Sequence, residues 1–205
     1  MNEKISDEKR NLIHNYQKIL CNTLDISDQY INYDKYISKY PYHEGLLFKI
    51  LNINYFIKDK YIYYPSGISL NKFKIDISNI EILMKEILYI LNNYNKICNF
   101  IHNNLLLDNI LLYNNNIIFI KFENSYYEYL DEKFYTKAYP ARDVFYLIIQ
   151  FYYKTKCDDC KLFLEKMFEK IDDGKNNSLD KIIKNKSINE YKNQIYSELN
   201  YNDFL

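Results

Sequence analysis

The spacing of apolar and polar positions changes several times along this chain, and each change marks an element. Leu12, Ile13, Tyr16, Ile19 and Leu20 recur at helical spacing behind Ser6, a residue that can cap a helix end. That spacing predicts a helix over residues 6–24. Residues 25–44 are polar and aromatic and predict a shorter helix and a loop. Residues 46–56 read as a strand, Lys58, Asp59 and Lys60 as a turn, and residues 61–64 as a second strand closed by Pro65, Ser66 and Gly67. The two predict an antiparallel hairpin.

From Ser78 onward the helical period takes over. Ser78 and Glu81 have the spacing of a capping box, and Ile82, Leu83, Ile87, Leu88 and Leu91 continue the helix behind it. Two short strands, 110–113 and 117–120, flank the turn Asn114, Asn115 and Asn116, and a loop runs from there to Pro140. Residues 141–153 are apolar nearly all round, with Val144, Phe145, Leu147, Ile148, Ile149 and Phe151. Such a helix has to be buried on every side, which makes it the centre of the larger lobe. Further helices are predicted over 158–172, 178–185 and 187–199, the last behind a second capping box from Ser187 to Glu190. There is no internal repeat and no long linker.

Composition narrows the function classes. The chain has 205 residues, 48% of them hydrophobic, enough for one substantial core or two small lobes sharing a cleft. Lys plus Arg equals Asp plus Glu at 27 each, so charge offers no case for nucleic acid or an anionic membrane as partner. Arginine occurs only at positions 10 and 142, which leaves few bidentate clamps for phosphate. The start has no apolar signal core and no run approaches a membrane span, so a cytoplasmic protein is expected. Cys21, Cys98, Cys157 and Cys160 suit a reducing compartment. The lone C-x-x-C at 157–160 has no second pair and no histidine pair nearby, and reads as two cysteines near a helix start. Abundant Lys, Asn, Ile and Tyr point to an AT-rich genome, as in a large DNA virus or a parasite.

The residues with most to say about chemistry lie in 101–123. His102 and Asn109 fit the phosphotransferase pattern H-x-D-x-x-x-x-N, with Asn104 where the Asp belongs. After the strand-turn-strand come Lys121, Phe122 and Glu123, where that pattern continues as Asp-Phe-Gly. Asp143 then opens the buried central helix, and residues 61–70 have the outline of a hinge strand and the turn behind it. Over residues 46–153 the chain resembles the protein-kinase-like superfamily, most closely a divergent, truncated viral Ser/Thr kinase homologue. Upstream the likeness stops. The three glycines, Gly45, Gly67 and Gly174, are not clustered, and no strand carries a recognisable nucleotide-binding lysine.

The resemblance implies an α+β, protein-kinase-like fold: a reduced small lobe over 1–66 with few strands, and a mainly helical large lobe over 67–205. It implies architectural roles for His102, Phe122 and Asp143. The two chemical positions are changed. An amide at Asn104 is no base near neutral pH, and losing a positioned base typically costs ~10²–10⁴ in rate. Lys121 replaces a metal-binding carboxylate; an ammonium about 4 Å from Mg²⁺ is repelled by about 8 kcal/mol at an effective dielectric near 20. Asn109 and Lys121 remain as residual nucleotide or metal contacts.

The expectation is a pseudokinase with no catalytic residue intact, no bound metal and no cofactor. It would bind a protein partner such as a kinase, a kinase substrate or a host signalling protein. Two alternatives stand beside it. One is an active divergent viral Ser/Thr kinase using ATP and Mg²⁺ through an unconventional grip at Lys121. The other is an unrelated α+β interaction protein.

Overall fold

A computed structural model describes residues 33–53, 55–114, 116–129, 132–134, 139–172, 178–184 and 199–204, with Ile188, Tyr191 and Ile195. The helix expected over 6–24 lies outside the described residues, as does most of the one over 187–199. The described part is a mixed α+β structure with five helices and small antiparallel sheets. Among the described residues, no helix is long and apolar enough to cross a membrane.

The first sheet holds β1 (Tyr33–Ile37), β2 (Phe56–Lys58) and β3 (Tyr61–Pro65) in the order β1-β3-β2. Ile62 lies at its centre, fully buried, opposite Tyr36 on one side and Ile57 on the other. Lys35 lies over the rings of Tyr61 and Tyr63, 4.7 and 5.7 Å from their centroids, so a charged residue covers aromatic surface on this sheet.

Between β1 and β2 runs helix α1 (Pro41–Ile50), which overturns the expected strand over 46–56; among the described residues of that span only Phe56 is in a strand. The physical reason is burial on nearly every side. His43, Glu44, Gly45, Leu46, Leu47 and Phe48 are consecutive and all buried, so the apolar run carries no period that separates helix from strand. Pro41 decides locally: in the first turn its fixed φ suits a helix and its missing N–H is not needed. Asn52, at φ 53°, is a left-handed residue just past the helix end. Residues 33–37, expected as loop or helix, form β1 instead.

Pro65 and Gly67 lead out of the first sheet into β4 (Ile68–Ser69), which pairs with β5 (Ile110–Tyr113); β5 in turn pairs with β6 (Asn116–Phe119). Gly67 permits this close approach, since a Cβ there would stand 2.9 Å from the Leu112 carbonyl oxygen. Helix α2 (Ile80–Cys98) starts two residues after Ser78, and no side chain caps it. The predicted capping box is absent because Asp76 takes both the N–H and the hydroxyl of Ser78, while the Asn79 side chain accepts from the Asp76 N–H. The polar side chains close a turn ahead of the helix instead of capping it. Where a plain loop was expected before Pro140, β7 (Tyr127–Tyr129) and β8 (Glu132–Phe134) form a hairpin.

Helices α3 (Pro140–Lys154), α4 (Asp158–Asp172) and α5 (Leu179–Lys184) complete the described elements. α3 is the centre that its apolar pattern implied: Ala141, Val144, Phe145, Leu147, Ile148 and Phe151 are all fully buried. Each of these side chains larger than Ala141 contributes about 1.5–3 kcal/mol of transfer free energy. The ring of Phe145 lies 6.0 Å from that of Phe168 on α4. The loop at 101–109 rests on this helix, whose expected burial on every side is not complete: Arg142, Tyr146 and Gln150 are half-buried and Tyr153 is exposed.

Candidate functional site

The loop begins at Ile101, whose N–H and C=O both bond to Tyr126 at 2.8 Å. Its next two residues are held by one carboxylate. Asp143, in the first turn of α3 and 1% exposed, accepts the N–H of His102 at 2.8 Å, the N–H of Asn103 at 2.9 Å and the Tyr201 hydroxyl at 2.7 Å. Asn103 adopts φ 61°, a left-handed turn that lets two successive N–H groups converge on the same acceptor.

His102 is a strut. Its Nε2 lies 3.2 Å from the Ile120 carbonyl and its Nδ1 accepts the Asn104 N–H at 3.3 Å, which sets the Nε2–H tautomer. Burial holds its pKa down to about 4, so the ring is neutral at physiological pH. With both nitrogens used and no exposed surface, it has no proton to offer a substrate.

Asn109 closes the loop from the other end. Its Nδ2 donates to the Asn104 carbonyl at 2.9 Å, and its own carbonyl accepts the Ile120 N–H at 3.0 Å. Its Oδ1 is buried without a hydrogen-bond partner among the described residues. Gln150, which the apolar reading of α3 passed over, pins the middle: it donates to Leu105 O at 2.8 Å and accepts from Leu107 N at 2.7 Å. A lone amide in the midst of an apolar helix was the available signal. Asp108 lies at the exposed edge, accepting from Ser69 and Asn71 at 3.2 Å each.

Lys121 sits just past β6 at φ 61°, a backbone conformation that costs a non-glycine residue roughly 1 kcal/mol. Its N–H donates to the Tyr36 hydroxyl at 3.2 Å, and among the described residues no carboxylate pairs with its ammonium. The next side chain, Phe122, is fully buried, 5.0 Å from Phe48 of α1, 5.2 Å from His102 and 5.5 Å from Phe100, measured between ring centroids. Phe48 stacks in turn on Tyr55 at 4.8 Å. One column of rings thus joins α1 to the loop.

The residue that sequence reasoning missed is Glu44, on α1. Its carboxylate accepts the Phe122 N–H at 2.7 Å and the hydroxyls of Tyr36 and Ser38, and it is completely buried. Burial pushes its pKa up to about 7, although the three donors pull the other way; the charge on Glu123 adds to the rise. The Tyr36 hydroxyl is pushed far above its ordinary range, first by burial and then by Glu44. A carboxylate inside the run of residues 42–48 would have stood out, had that run been read as a helix.

Asn104 and Asn109 offer amides, Lys121 carries a cation, and among the described residues no group of three or more His, Cys, Asp or Glu could hold a metal ion. The donor set does not fit Mg²⁺. Comparison with protein-family models, with curated proteins and with solved structures gave no match.

Two outcomes are expected. Asp143→Ala leaves two N–H groups and a hydroxyl buried without their acceptor, and should lower unfolding free energy in urea by about 3–5 kcal/mol. Glu44 has a pH signature. Its folded pKa lies above the ordinary carboxylate value of 4.5, so its stabilising contribution is full below pH 4.5 and is lost as pH rises through about 7. His43 and His102, held down to about 3 and 4 by burial, act in the opposite sense and lose stability as pH falls below 6.5. The difference in stability between wild type and Glu44→Gln isolates the first effect. It should change by about 3 kcal/mol between pH 4 and pH 8, the wild type losing ground as pH rises; parallel curves would count against a buried, half-ionised carboxyl.

Proposed function

We infer that the chain is a protein-kinase-like pseudoenzyme that works by binding a protein rather than by transferring phosphate. The observation that carries this reading is the contact of Tyr36 on β1, Glu44 on α1 and the Phe122 N–H. An active kinase joins a small-lobe strand lysine to a helix glutamate, and requires that ion pair together with the Asp-Phe-Gly carboxylate that holds Mg²⁺. Here strand and helix stand in the same relation, β1 then α1, with Glu44 next to Phe122. The partner of the glutamate is a phenol, and the residue before Phe122 is a lysine.

Further support comes from the pattern of what is kept. The groups in bonding positions all hold the loop in place: Asp143 ties it to α3, Phe122 ties the segment after β6 to α1, the His102 ring reaches Ile120, and the Asn109 side chain closes the loop on Asn104. The groups that would do chemistry, at 104 and 121, do not carry carboxylates. On this reading the described part of the small lobe over 1–66 holds three strands and one helix. The partner is a kinase, a kinase substrate or a signalling protein of the host of a viral gene product, met in the cytoplasm.

One specific observation favours a second reading, an active kinase with an unconventional nucleotide grip. The Lys121 ammonium lacks a carboxylate partner and the Asn109 Oδ1 lacks a donor, both among the described residues.

A nucleotide titration separates the two. The pseudoenzyme reading expects no steady phosphate transfer from Mg-ATP to a generic Ser/Thr substrate, and a melting temperature unmoved by saturating ATP with or without Mg²⁺. Sustained transfer that disappears in Asn109→Ala would overturn it. An ATP-dependent rise in melting temperature that vanishes in Lys121→Ala would instead establish the phosphate grip.

A further inference from the structure

The C-x-x-C of Cys157 and Cys160 lies away from the loop, and the fold gives its two members different surroundings. Cys157 precedes α4, and its carbonyl accepts the Lys161 N–H at 3.1 Å, which makes it the cap residue of that helix. Its own N–H donates to the Thr155 hydroxyl oxygen at 3.2 Å, so the turn between α3 and α4 is held in place. Cys157 is half-buried and reachable, whereas Cys160, one turn further on, is fully buried in the core. Both are free thiols.

The spacing brings the two sulfurs together. A cap residue and the third residue of the helix lie on one side of the first turn, within the Cα separation that a disulfide spans. Burial pushes the Cys160 thiol up; the Thr155 hydroxyl pulls it down, and the adjacent Cys157 thiol and the Asp76 carboxylate push it further. The acidic residues Asp158 and Asp159 occupy the first turn of α4. Two thiols without a third or fourth ligand among the described residues do not make a zinc site.

We propose that Cys157 and Cys160 form a dithiol–disulfide couple, with Cys157 as the exposed entry thiol and Cys160 as the buried resolving thiol. The co-reactant is a small disulfide of the glutathione type. Cys157 gives up its proton and attacks one sulfur of that disulfide, expelling the first thiol, which takes up a proton. Cys160 then gives up its proton and attacks the Cys157 sulfur, expelling the second thiol. Two protein thiols are oxidised, one external disulfide is reduced to two thiols, and a bond joins residues 157 and 160. Burial outweighs the pull of the Thr155 hydroxyl on Cys160, so Cys160 leaves poorly and the closed disulfide resists reduction. The couple locks the first turn of α4 at its junction with α3.

The full-length protein is incubated in excess oxidised glutathione, quenched in acid, denatured and alkylated, then digested with trypsin. Cleavage after Lys156 and Lys161 isolates both cysteines in one five-residue peptide. That peptide is expected two hydrogens lighter and unalkylated, and to return to the doubly alkylated form after dithiothreitol. Cys160→Ser should trap glutathione on Cys157, and Cys157→Ser should leave Cys160 reacting about tenfold or more slowly, as buried thiols do. The wild-type peptide needs no variant to fold, so it decides the matter alone. Two alkylated cysteines after full oxidation, or a bond from either residue to Cys21 or Cys98, would overturn the proposal.

Discussion

The Asp143 carboxylate is the fixed point from which the site is laid out. It stands in the first turn of the central helix α3, and it takes the N–H groups of His102 and Asn103. Those two bonds orient the His102 ring, which reaches the Ile120 carbonyl and so fixes the end of β6. The end of β6 sets Lys121 and Phe122, and Phe122 meets Glu44 and Phe48 on α1. A charge buried this deeply is tolerable only because three donors surround it, Tyr201 supplying the third from the far end of the chain. Each later link is an ordinary hydrogen bond or ring contact, and each depends on the one before.

The helical half was legible because its signals are periodic or extreme. α3 is apolar nearly all round and had to be central, and the helix expected over 158–172 is α4. The strand-turn-strand at 110–119 was plain from its polar turn. What failed was the hairpin over 127–134 and, above all, the stretch before residue 60. The run from His43 to Phe48 is buried on nearly every side, so nothing in it repeats at two or at three and a half residues, and Pro41 was the one local cue that it is helical. Missing α1 also hid Glu44, which closed the polar stretch 25–44 expected as a shorter helix and a loop, where a glutamate would face solvent, whereas on α1 it faces Phe122. The capping box at Ser78 failed for a different reason: Asp76, two residues upstream, competes for the same hydroxyl.

Within the candidate site, the loop residues were visible as a pattern, but their contacts were not. No spacing rule says that Gln150 will hold Leu105 and Leu107, or that a tyrosine from a strand near residue 36 will bond to the backbone at 121. These are pairings across more than forty residues of sequence, set by the packing of α3 and α1. The chain also makes its left-handed turns with few glycines: Asn52, Asp59, Asn99, Asn103 and Asn114 do that work. Short amide and carboxylate side chains tolerate the conformation, and Lys121 alone among the described non-glycine residues adopts it without that advantage.

The hydrogen-bonded cluster at Glu44 makes the joint between the three-stranded sheet and the loop more than a mechanical contact. Burial brings the Glu44 pKa up to about 7, so near neutrality the carboxyl holds its proton about half the time. Any movement that carries α1 away from Phe122 and wets the carboxyl returns its affinity for protons to that of an ordinary glutamate. Between those two affinities, opening the joint discharges a proton into the solvent and closing it takes one up. The heat of such a movement therefore contains the ionisation enthalpy of whatever buffer receives that proton, and local proton activity becomes one of the quantities that sets how far the joint stands open.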